Sequence, residues 1–186
     1  MPWLSATSSD VAPMRRMSSS PLSRNSVSPR SVATVHVHGV APESVEAVGS
    51  GREAWLLELL ADPAFPRRDN VVAFLGELGG EGSVAGLRAF LLAPPGPTWT
   101  PEEDRAFLFV PAALARMASR DVPGALEALL ELSTDRGAAT ALGPLPPNAP
   151  SPADAVSDLL SRATWALPLA RRPEADARVS DIASGV

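Results

Sequence analysis

The chain has 186 residues, about one domain's worth, with 16 basic residues, all Arg, and a net charge of −5. It contains no Cys, which excludes disulfides, zinc–thiolate sites and cysteine catalysis. Hydrophobic residues make up 45% of it, enough for a core.

Twenty Pro and thirteen Gly lie above the usual ~12% share, yet below the level of a wholly disordered chain. No run approaches the ~18 apolar residues that span a bilayer, and the N-terminus lacks the apolar stretch of a secretory signal. The expected compartment is therefore cytoplasmic.

Residues 1–31 hold ten Ser and almost nothing bulky and apolar. Such a segment cannot offset its ordering entropy. We expect a disordered Ser/Arg/Pro-rich tail over 1–41, or an upstream stretch carried by a misassigned start. Within it, residues 32–40 alternate, with Val35 and Val37 on one side and His36 and His38 on the other. The two imidazoles share a face, but no third strong ligand stands nearby, and no metal site is expected. The tail carries four Arg and one Asp over residues 1–42, while 43–186 carry twelve Arg and twenty acids. An acidic body argues against nucleic acid as a partner.

From Pro42 the period changes to 3.6 and the body reads as helical. Residues 43–48 suggest a short helix stopped by Gly49 and Gly51. Residues 52–61 set Trp55, Leu56, Leu59 and Leu60 on one face, ended by Asp62-Pro63. Residues 68–78 place Val71, Phe74, Leu75 and Leu78 at i, i+3, i+4 and i+7. Ser83 suits an N-cap for a helix over 84–92. Thr100-Pro101-Glu102-Glu103 is a capping box with Pro at the first helical position. The helix it opens carries Phe107, Val110, Leu114 and Met117, with Pro111 inside it as an expected kink. Residues 122–132 repeat the Leu pattern. Residues 136–150 read as a Pro/Gly/Ala linker, 151–169 as a last helix opened by Ser151-Pro152, and 170–186 as a polar, frayed tail.

Two stretches match each other, 74–92 and 111–132. An offset of 39 sets Leu75 on Leu114, Leu78 on Met117, Leu87 on Leu126 and Leu91 on Leu130. A one-residue gap in the turn brings Val84 onto Val122. With Pro111 inside the first helix, Asp121 in the turn and Val122-Pro123 opening the second, this region resembles the HEAT repeat family. The resemblance spans roughly residues 43–132, and the first unit lacks the internal Pro. It implies an all-α fold: a short α-solenoid of two to three HEAT-like helix pairs over 42–135. The implied function is non-catalytic protein–protein interaction or scaffolding, without cofactor, the partner being another protein. Three alternatives remain: an ordinary helical bundle whose Leu stripes mimic a repeat, an enzyme on a HEAT-like scaffold acting on nucleobases or tetrapyrroles, and a truncated copy of a larger array.

In such an array the second helices, here 52–61, 84–92 and 122–132, line the concave side. Their solvent face falls to Arg52, Glu58, Arg88, Glu127 and Glu131, a polar surface of mixed sign. Trp99, in a Pro/Thr loop before the capping box, is either a hydrophobic staple or an exposed anchor for the partner. Arg67-Arg68 before a helix has no local reason and is a candidate anion contact.

Overall fold

Wherever apolar residues recur with a period of 3.6, the chain forms helix in the computed structural model, which describes residues 42–49, 51–94 and 96–185. The expectations for residues 1–41, His36 and His38 included, lie outside the described residues. In chain order the helices are α1 (Pro42–Val48), α2 (Glu53–Ala61), α3 (Arg68–Leu78), α4 (Glu81–Leu92) and α5 (Pro101–Ala118). They continue as α6 (Ala125–Leu132), α7 (Asp135–Ala141), α8 (Pro152–Ala166) and α9 (Pro173–Ser184), with a 3₁₀ turn at Leu167–Ala170. Among the described residues there is no strand.

Local capping accounts for several starts. The Thr100 hydroxyl accepts from the Glu103 N–H at 3.2 Å, and the Glu103 carboxylate accepts from the Thr100 N–H at 2.7 Å. This is the reciprocal pair that the capping box requires. Ser151 caps α8 and Thr134 caps α7 by the hydroxyl alone, accepting from the N–H groups of Asp154 and Gly137. α5 runs unbroken through Pro111, which is buried.

Helices two apart in the chain pack on one another. α1 lies on α3, and α3 on α5; α2 lies on α4, and α4 on α6; α5 also lies on α8, three helices further along. The α3–α5 contact is the most extensive. It is close because residue 76 is Gly: a β-carbon there would lie 2.9 Å from the Ala113 α-carbon. Phe74, Leu75, Phe107, Leu114 and Met117 fill this layer, and Leu56, Leu87, Leu91 and Leu129 fill the second.

The 39-residue offset holds for this first layer. Val71, Val72, Phe74, Leu75 and Gly76 map onto Val110, Pro111, Ala113, Leu114 and Ala115, all buried. It fails in the second. Leu126 and Leu130, matched by sequence to buried Leu87 and Leu91, are only partly buried. The buried positions of α6 are Ala125, Ala128, Leu129 and Leu132. The reason lies in the turn. Asp121 and Gly124 both adopt left-handed backbone, at φ 60° and 77°. Residues 122–124 are therefore turn and not the first turn of a helix, so α6 starts later and rotates.

Three further expectations are corrected. Ser83 does not cap α4; the helix opens at Glu81 and Ser83 is buried inside its first turn. Residues 136–150 are not all linker, because α7 extends to Ala141 and buries Gly137 and Ala138. The 170–186 segment is not frayed: α9 buries Ala175 and packs Val179 and Ile182 on the core. Those three positions, at i, i+4 and i+7, form an apolar stripe among charges. Arg178 fixes the helix by donating to the Ser133 carbonyl at 3.0 Å.

Candidate functional site

The outer face of α2, α4 and α6 carries the charged positions singled out in the sequence. Glu58 and Glu127 are exposed there, and Arg52, just before α2, is half-buried. Arg88 of α4 and Glu131 of α6 are brought together as an ion pair, each about half-exposed. A pair so exposed is worth little in stability, but it cancels two charges at the edge of the face. What remains there is apolar. Ala85, Ala89 and Leu92 of α4 point outward, with Leu92 49% exposed.

Two hollows flank this α4 strip. One, of about 350 Å³, lies between α2 and α4 and is lined by Leu57, Leu60, Ala61, Gly86, Ala89, Phe90 and Ala93. The other, of about 180 Å³, lies toward α6 and α7, beside Arg88, Leu91, Leu92, Ala128 and Glu131. The expected polar face of mixed sign is thus an apolar strip with charges at its edges. The Ala residues that read as neutral helix filler are the ones solvent meets.

The upper end of the α2–α4 seam is closed by Glu53. Its carboxylate accepts from the Gly80 N–H at 3.0 Å, the Ser83 N–H at 2.6 Å and the Ser83 hydroxyl at 2.7 Å. A side chain of α2 thereby caps α4, with the anion on the positive end of the helix dipole. The Ser83 hydroxyl is the main cause that holds the Glu53 carboxyl below its ordinary value of 4.5; burial opposes it and the two backbone bonds add to it. A depressed folded value gives a stabilisation that is complete above the ordinary value and fades as pH falls through the folded one. Glu53→Gln is therefore expected to lower stability at neutral pH and to matter little at about pH 3. Urea unfolding of both chains at the two pH values checks this, and an equal difference at both excludes the ionised cap.

Trp99 is half-buried. Its ring packs edge-on against Phe107, centroids 5.6 Å apart, and its indole N–H donates to the Asp104 carboxylate at 3.2 Å. Asn148 clamps its backbone through two hydrogen bonds of 2.8 Å. It works as a staple, reaching Phe107 one turn beyond the usual partner.

Arg67-Arg68 meets anions within the chain. Arg68 forms an ion pair with Glu103, their side chains only 5% and 6% exposed. It also donates to the Asp62 carbonyl at 2.7 Å and the Phe65 carbonyl at 3.3 Å. Asp69, also buried, accepts from Arg67 and Arg105 at 3.1 Å each. Arg105 in turn holds Glu102 at 2.7 Å. The hydrogen bond from Arg105 is the first cause that lowers the Glu102 carboxyl, and those to Glu102 and Asp69 raise the Arg105 guanidinium. This cluster locks the starts of α3 and α5 together.

Sequence reasoning missed Trp165, which is 79% exposed near the end of α8. A helical reading of the segment finds it: Ala155, Leu159, Ala163 and Ala166 form the inner stripe, and Trp165 falls opposite. Among the described residues, no group of three or more His, Asp or Glu is placed to hold a metal ion. Nor is any helix among them long and apolar enough to cross a membrane. No family model matches the chain, and no curated protein or solved structure matches it.

Proposed function

We propose that the chain is a non-catalytic protein-binding module, a short α-solenoid of two to three HEAT-like helix pairs that works without a cofactor. Two features support the repeat reading: helices two apart pack together, and the burial pattern of α3 recurs in α5 at an offset of 39. The observation that carries the binding reading is the α4 strip. A helix that met only water would carry polar residues at its outward positions. Ala85, Ala89 and Leu92 are outward and apolar, and a hollow lies on either side. The partner is another protein that sets an apolar segment along this strip, with Arg52, Glu58, Glu127 and the Arg88–Glu131 pair at the rim.

The test is affinity for a partner captured by the full chain, identified, and re-measured as a purified pair. Leu92→Glu is expected to weaken binding about tenfold or more, since it buries a charge at the centre of the contact. Arg88→Glu with Glu127→Arg changes association rate and salt dependence more than final affinity, as rim charges do. Full affinity with Leu92→Glu, its helix content unchanged, rules out the α4 strip.

A further inference from the structure

Trp165 lies outside the face discussed so far. With Pro168 and Leu169 it stands at i, i+3 and i+4, and all three are exposed, Leu169 to 48%. An indole 79% exposed is a large apolar surface to leave in water. Arg162 precedes it by three residues and Arg171 follows it by six, both exposed, and neither makes an ion pair among the described residues. Arg171 is one of two non-glycine described residues with left-handed backbone, at φ 53°. The surface is thus an aromatic anchor between two cations, on a body that is otherwise acidic.

The α2–α4 hollow is its complement. It is apolar and about 350 Å³ in volume; Leu57 packs over Gly86, and Ala89 adds only a methyl group to the lining. Glu58 lies between Leu57 and Ala61 in the α2 sequence, and Asp62 follows Ala61, both acids exposed. Neither makes an ion pair among the described residues. Two carboxylates without an ion pair among the described residues, Asp62 also accepting from the Ala64 N–H at 2.9 Å, answer two arginines that likewise lack one.

We infer that the occupant of this hollow is a second copy of the chain, seated by Trp165 with Arg162 and Arg171 against Glu58 and Asp62. This goes beyond the binding reading, adding a second contact at the α2–α4 hollow beside the strip. Trp165 is open to solvent and the hollow is unfilled in the same chain, so the contact joins copies. Because the two surfaces differ, it is head-to-tail, the geometry that yields rings or open chains. One Trp, one Leu and one Pro cover less than the ~800 Å² per partner of a standard interface. The association is therefore weak and grows with concentration, and screening of the four charges weakens it further.

Sedimentation velocity on the full chain over a concentration series tests this. The wild type is expected to sediment faster as concentration rises, and less so at high salt. Trp165→Ala and Ala89→Glu each change an exposed position, keep the helical signal, and remain single chains. Their equimolar mixture is expected to form a dimer and stop. Each such pair has one intact Trp165 and one intact hollow, already engaged. A wild type that stays a single chain throughout overturns the inference, leaving another protein or the chain's own N-terminal segment as the occupant. Self-association that survives either substitution, or a mixture that stays monomeric, also overturns it. None of these outcomes touches the Leu92 test, which is read on a different partner.

Discussion

Glu103→Ala is expected to lower unfolding stability by about 3–5 kcal/mol, the usual cost of breaking a buried ion pair from one side. The Arg68 guanidinium is left 5% exposed without its carboxylate, still tethered to the Asp62 and Phe65 carbonyls. The same substitution removes the acceptor for the Thr100 N–H, so the capping box at α5 fails as well. Domains of this size are held by only about 5–15 kcal/mol, so the variant approaches the edge of folding. Glu103→Gln keeps an acceptor for both partners and is expected to lose less. Replacing the pair together, Arg68→Met with Glu103→Leu, is expected to recover much of the loss, because no charge is then buried alone. Urea titration of the four chains decides this. A cost under 1 kcal/mol for Glu103→Ala contradicts a water-excluded pair.

What the sequence made legible was local. The capping box at Thr100 lies within four residues, and the bounds of α3 follow from apolar spacing between a Pro and a Gly pair. What it hid was non-local. Glu53 caps α4 from 27 and 30 residues away, and Arg68 meets Glu103 from 35. No spacing rule links such positions before the helices are packed. Glu103 illustrates the split: its cap was readable and its ion pair was not. α9 was missed for another reason. Its inner stripe is one Ala and two β-branched residues, a weak apolar signal among four charges. On the candidate face Glu58, Arg88 and Glu127 are exposed and Arg52 and Glu131 are half-buried, and the pairing was invisible. Arg88 and Glu131 stand 43 residues apart and cancel, so a face read as polar is apolar at its centre.

The second large effect tests the register in which α3–α4 matches α5–α6. Leu87→Ala and Leu129→Ala are each expected to cost about 2–5 kcal/mol, the range for a fully buried Leu. Both side chains are 0% exposed. Leu126→Ala is expected to cost about 1 kcal/mol, since a half-buried Leu loses fewer contacts and its site stays open to water. Leu126 is the residue that the sequence offset pairs with Leu87; burial pairs Leu129 with it instead. The difference traces to Asp121 and Gly124, whose left-handed backbone makes a turn of residues that spacing alone reads as helix. Shifting the match from 39 to 42 residues sets Ser83, Leu87, Phe90 and Leu91 on Ala125, Leu129, Leu132 and Ser133, all buried. Equal losses at Leu87 and Leu126, with little at Leu129, restore the 39-residue register for the second helix. The opposite ranking means that the two units share their first helix and differ in the turn, so α6 presents Leu126, Glu127 and Leu130 outward where α4 presents Ala85, Arg88 and Ala89.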